Sequence, residues 1–302
     1  MQAARHSYKS PVRPVIYGRE SVPSYHAGLF ANLKDKLLIQ GEETVVLDGI
    51  FYTVAELEEI EKGLDEESWQ NHVIIYNNKG LLLFLEEQVV DTDKLNAAYY
   101  YRFKPSFVQF ISPFFAQVFY SLSLDWLRSN LPSLCKLMDF TGFVALADAQ
   151  QAYEPLRSYF RSLQEFAEGL EWDEFVRDET VLAFIFSPYW RELVNKLPPA
   201  LESSRIGMAE SLLSLAKRFE GNATPAYLQE LAASLKGLQL PVVLKEEIGK
   251  YAYSLSRYNA ESFKVVKKRG SNPSFYVIAG LACFFGILLF TYFNTSRRKN
   301  NA

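Results

Sequence analysis

Apolar positions along this chain follow different rhythms in different stretches, and each rhythm predicts a different kind of element. Residues 1 to about 25 show no period. Pro11, Pro14 and Pro23 interrupt scattered arginines and lysines, which reads as a basic, partly flexible arm, either free or laid along the surface. Leu29, Leu33, Leu37 and Leu38 then recur at helical spacing and predict a short amphipathic helix that closes the arm near residue 40.

Residues 41–90 alternate more tightly. Val45–Leu47 and Ile50–Tyr52 are β-prone runs joined by Asp48-Gly49, the pair that two-residue hairpins favour. Thr53 followed three residues later by Glu56 makes a capping box, and Gly63 marks the end of the helix it opens. The run HVIIY at 72–76 reads as a third strand, Asn77-Asn78 as a turn and KGLLLFLEE as a short helix. The segment is thus predicted to be a small α+β subdomain.

From Asp91 to about residue 260 the period is helical. The run 105–124 carries no charge. Phe107, Phe110, Ile111, Phe114, Phe115, Val118, Leu122 and Trp126 fall along one face, with most serines and glutamines off it, and Pro113 is expected to break or kink the helix. The reading is a buried or half-buried helix, with membrane contact as the competing reading. Further stripes run through Tyr153–Ala167, Trp172–Phe186, Ala209–Phe219, Leu228–Leu235 and Leu244–Leu255, punctuated by Ser187-Pro188, Pro198-Pro199, Gly221, Pro225 and Pro241.

Between Phe275 and Phe293 the period disappears because nothing polar interrupts it. Nineteen residues carry no charge, and at ~1.5 Å per residue they make a helix of about 28 Å, close to the ~30 Å hydrocarbon core of a bilayer. Phe275, Tyr276, Ile278, Leu281, Phe284, Phe285, Ile287, Leu288, Leu289, Phe290, Tyr292 and Phe293 are read as the membrane anchor, with rings at both ends as at headgroup depth. Lys264, Lys267, Lys268 and Arg269 before it, and Arg297, Arg298 and Lys299 after it, are read as lipid headgroup contacts. Pro273 stands where such a helix would begin. The first 21 residues show no apolar signal core. The expectation is therefore a single-pass, tail-anchored protein with the bulk of the chain in the cytosol.

Composition changes this picture in two places. The formal net charge of −3 hides an asymmetry: residues 42–93 hold fourteen acidic and two basic side chains, a net of −12 that leaves +9 elsewhere. A solvated acidic face is the simpler account, and partner selection by charge is the functional one. The small net charge gives no case for bulk nucleic-acid binding. The two cysteines, Cys135 and Cys283, fall one in the predicted soluble part and one in the predicted span, so no internal disulfide is expected, as suits a reducing cytosol.

Candidate chemistry is sparse. No phosphate loop, dinucleotide fingerprint, nucleophile elbow or zincin motif occurs. Of three histidines, His6 and His26 lie in the arm and His72 opens the predicted third strand, where a surface position is expected. Glu168, Glu171, Asp173, Glu174, Asp178 and Glu179 bring carboxylates onto shared helix faces without a histidine, a pattern that also suits a helix N-terminus. Asn222-Ala-Thr-Pro fits the glycosylation pattern only formally. No cofactor or metal is expected.

The fold expected is mainly α: an arm (1–40), an acidic α+β subdomain (41–90), an aromatic-rich helical domain (91–260) and a basic juxtamembrane segment with its transmembrane helix and short tail (261–302). The function expected is a protein-interaction, recruitment or assembly module held at a lipid bilayer, more a non-enzyme than an enzyme, with a protein partner and room for oligomerisation. Two alternatives are a lipid-binding or apolar-ligand-binding protein or enzyme, and an effector that inserts residues 105–124 into the membrane.

Overall fold

The computed structural model describes residues 8–16, 19–171, 183–220 and 225–266. Within them the chain is mainly helical, with one two-stranded antiparallel sheet. It divides into two compact units, Met1–Leu156 and Arg157–Ala302.

The first unit opens with α1 (Val12–Ile16) and α2 (Ala31–Gln40). The hairpin β1 (Thr44–Leu47) and β2 (Ile50–Thr53) follows, with Leu47 opposite Ile50 and Val45 opposite Tyr52. Asp48 and Gly49 both take positive φ, 51° and 81°, the backbone that a two-residue turn needs and that Gly tolerates at no steric cost. Thr53 then caps α3 (Val54–Gly63) through the predicted capping box: its side chain accepts from the Glu56 N–H, and the Glu56 carboxylate accepts from the Thr53 N–H.

The third strand is not formed. Residues 72–76 lie inside α4 (Glu66–Asn77), opened by a second reciprocal capping box between Asp65 and Ser68. The β-branched run is overruled by helical spacing, because Trp69, His72, Val73 and Tyr76 recur three and four apart and turn one face inward. Propensity in a five-residue window is a weak prior against such packing.

Residues 8–16 are not a free arm but are packed into the first unit. Tyr8, Ser10, Val12 and Val15 are buried, and Val12 and Val15 join a core with Leu29, Phe30, Leu33, Leu37, Leu47, Tyr52, Leu57 and Trp69. The segment is held by polar groups as well. Arg13 donates to both oxygens of Glu86, whose side chain is 2% exposed, and to Asp48 on the hairpin turn. The Ser10 N–H donates to the same Glu86, and the Tyr52 hydroxyl donates to the Ser10 carbonyl at 2.9 Å. Sequence spacing does not reveal this docking, since Glu86 lies more than seventy residues downstream of Arg13.

Glu86 sits on α5 (Lys79–Glu87), which packs on α6 (Thr92–Ala98). A Cβ on Gly80 would lie 2.6 Å from the Leu95 backbone nitrogen, so the absence of a side chain there is what lets the two helices approach. A 3₁₀ turn, Tyr99–Phe103, leads into α7 (Pro105–Ser129). The helix runs on through Pro113 without a break. It buries Phe107, Ile111, Phe115, Val118, Phe119 and Leu122, while Phe110, Phe114 and Trp126 are half-buried. Phe115 stacks on Phe84 at 4.5 Å and meets Phe143 at 5.4 Å. Buried Ser112 is satisfied twice: its hydroxyl donates to Asp148 and accepts from the Ala145 N–H. Then come α8 (Leu131–Leu137), a 3₁₀ turn (Met138–Phe143) and α9 (Ala149–Ala152).

The division between the units falls in the first turn of α10 (Glu154–Gly169). In the second unit, helices follow at Pro188–Asn195, Glu202–Arg218, Pro225–Lys236 and Val242–Val266. Pro188 and Pro225 stand at first helical positions, as their fixed φ favours. Arg218 closes the end of α10 by donating to the carbonyls of Ala167, Glu168 and Leu170, where a cation also meets the negative end of the helix dipole. Asn195 bridges the Gly237 carbonyl and the Gln239 N–H, and the Tyr251 hydroxyl donates to the Ala216 carbonyl. The expected stripe at 172–182 lies outside the described residues.

Two predictions follow from this packing. Gly80→Ala, favourable by helix propensity, is expected to destabilise the protein by about 1–3 kcal/mol through overpacking against α6, read as a lower urea midpoint. Arg13→Met is expected to cost about 3–5 kcal/mol, because it leaves the Glu86 carboxylate buried without its cation. The double variant Arg13→Met/Glu86→Leu should recover much of that loss in the same measurement.

Candidate functional site

The anchor residues from Phe275 to Phe293, the flanking Lys267, Lys268, Arg269, Arg297, Arg298 and Lys299, and the Asn222-Ala-Thr stretch lie outside the described residues. Lys264 falls on the last turn of the helix Val242–Val266. Of the carboxylates singled out near residue 171, Glu168 accepts from the Ser211 hydroxyl at 3.0 Å, and those from 173 onward lie outside the described residues. Among the described residues no group of His, Cys, Asp and Glu is arranged to hold a metal ion.

The acidic segment resolves into two sets of carboxylates. Six are structural. Asp48 and Glu86 hold Arg13, Glu56 holds Lys9, Glu61 holds Lys34, and Asp65 and Asp91 cap helices. The Lys9 ammonium and the Thr53 N–H keep the Glu56 carboxyl below the ordinary carboxylate range. The other eight, Glu42, Glu43, Glu58, Glu59, Glu66, Glu67, Glu87 and Asp93, are exposed and meet no cation among the described residues. The basic N-terminal stretch therefore neutralises only part of the acidic subdomain, and a solvated acidic surface remains.

His72 is neither on a strand nor at the surface. It is half-buried on α4, its ring 4.8 Å edge-on from Phe110 and stacked 5.7 Å from Tyr8, which itself meets Phe114 edge-on. Nδ1 lies 2.9 Å from the Tyr8 hydroxyl. Burial among rings pushes the His72 pKa down to about 4, so the ring is neutral around pH 7 and Nδ1 shares one hydrogen bond with the Tyr8 hydroxyl. The sequence offered no signal for this pairing, whose partners come from the N-terminal stretch and from α7.

Two further features bear on function. A pocket lined by Pro14, Val15, Arg19, Leu29, Asn32, Leu33 and Lys36 has a volume of about 30 Å³, room for a water and not for a lipid chain. Helix α7 is long and apolar enough to cross a bilayer, with a mean hydropathy of 1.3 over its most apolar window. Half of that window is buried, however, as in the central helix of a folded domain. Comparison with family models, curated proteins and solved structures gives no match.

The His72 geometry carries a pH dependence. The unfolded ring takes up a proton near pH 6.5, whereas the folded ring resists it down to about 4. Stability from this group is thus complete above pH 6.5 and is lost as pH falls towards 4, by about 1–3 kcal/mol. Denaturation midpoints across that window should fall more steeply for the native chain than for His72→Gln.

Proposed function

We propose that this protein is a membrane-tethered recruitment or assembly module: a helical cytosolic body held at a bilayer by residues 275–293. The single observation that carries the reading is the nineteen-residue charge-free stretch with rings at both ends and basic clusters on both sides. The body supports it as well. The first unit presents eight exposed carboxylates that meet no cation among the described residues, a surface suited to attracting a basic partner.

Insertion of α7 as the main membrane device is the weaker reading. It would require Phe107, Phe115 and Phe119 to leave a packed core, and each deeply buried ring contributes on the order of 3–5 kcal/mol there.

Deletion of residues 270–302 tests the proposal. The truncated chain is expected in the soluble fraction after cell lysis, with a helical circular dichroism spectrum that melts cooperatively, while the full chain resists extraction by alkaline carbonate. A truncated chain that stays with membranes in high salt would overturn the single-anchor reading.

A further inference from the structure

The turn that precedes α7 combines exposed rings with cations. The segment Tyr99-Tyr100-Tyr101-Arg102-Phe103-Lys104 is a 3₁₀ turn and its cap. Two of its rings face solvent, Tyr100 at 54% and Phe103 at 73% exposure. Large rings in a folded protein bury easily, so two of them exposed within four residues call for an explanation. The two cations are arranged just as unusually. The Arg102 guanidinium lies 4.1 Å from the Tyr99 ring and 4.0 Å from the Phe103 ring, and the Lys104 ammonium lies 5.1 Å from the Tyr101 ring. One Arg102 nitrogen donates to the Tyr99 carbonyl, which leaves further N–H donors unused. Neither cation meets a carboxylate among the described residues. The sequence supplies none nearby: from Lys94 to Leu124 there is no Asp or Glu, although the preceding fifty residues are strongly acidic.

We infer that this turn is a peripheral docking site for an anionic lipid surface. The inference rests on the membrane-tether reading, which would bring the body to a bilayer. Charge complementarity selects the occupant. Arg102, fixed between two rings, and Lys104 offer donors to phosphate or carboxylate headgroups. Tyr100 and Phe103 supply the amphipathic rings that settle at headgroup depth. The outward positions that follow on α7, Ser106, Gln109, Pro113, Tyr120 and Leu124, carry no charge that a membrane surface would have to desolvate. An acidic protein partner would satisfy the two cations, but it would leave the long charge-free flank without a role.

Tryptophan quenching in the full-length protein tests the site. Phe103→Trp places a fluorophore in the turn, and Ile39→Trp places one at a position that is 85% exposed in the same unit. Each is reconstituted into vesicles of brominated phosphatidylcholine and phosphatidylserine and compared with the unsubstituted chain. The expected result is extra quenching from Phe103→Trp, absent from Ile39→Trp, and reduced when Lys104→Gln is added or phosphatidylserine is left out. Equal quenching at the two positions overturns the proposal. Concentration-dependent blue-shifted emission from Phe103→Trp without any lipid assigns the turn to a second copy of the chain and overturns it as well. Flotation of the vesicles reads the anchor separately. If the chain fails to float, the tether reading falls, and quenching on mixing the chain with preformed vesicles then decides the turn by itself.

Discussion

The buried pairing of Arg13 with Glu86 is the constraint on which the first unit depends. It joins the beginning of the described chain to α5, and through Asp48 and the Tyr52–Ser10 bond it reaches the hairpin as well. A carboxylate as enclosed as that of Glu86 is costly unless a cation and further donors meet it. Here it receives the guanidinium and the Ser10 N–H together. The apolar contacts of Val12 and Val15 are non-directional, whereas this network admits one register of the N-terminal stretch against the rest. The acidic character of residues 42–93 is thus partly internal bookkeeping, answered by Lys9, Arg13 and Lys34.

How much of this could be read from sequence follows from how local each interaction is. The hairpin at Asp48-Gly49, the Thr53 cap, α2, α5 and the inward face of α7 all announce themselves within a few residues, and the structure forms them. The failures share a cause. Residues 72–76 look like a strand in a five-residue window, and only the Asp65–Ser68 cap and the spacing from Trp69 to Tyr76 reveal a helix. The stretch 8–16 looks like an arm because its few apolar residues stand among prolines, and what docks it comes from residues 47–86. Phe119 and Ser112 were invisible for a related reason: the loop at 145–148 and Tyr153 enclose them. The charge-free stretch 275–293 stands out by composition and length alone, whereas the exposed rings and the cations of the Tyr99–Lys104 turn do not, because exposure and ion pairing depend on the folded chain.

The first unit combines two surfaces of opposite character. Carboxylates that meet no cation among the described residues project from α3, α4 and the segments around them, while the turn before α7 carries cations and the outward side of that helix is free of charge as far as Leu124. A body with such polarity has a preferred attitude beside an anionic membrane, since like charge is repelled and the basic, aromatic side is drawn in.

The position of α7 in the chain has a consequence for how the protein is made. This helix is apolar enough to be mistaken by cellular targeting machinery for a segment bound for lipid. Part of its cover, Tyr8, His72 and Phe84, precedes it in the chain, and part, Phe143, Ala145, Asp148 and Tyr153, follows it. The helix can therefore be fully enclosed only after residue 153 has been made, and until then one side of its apolar surface waits for chain that has not yet been synthesised.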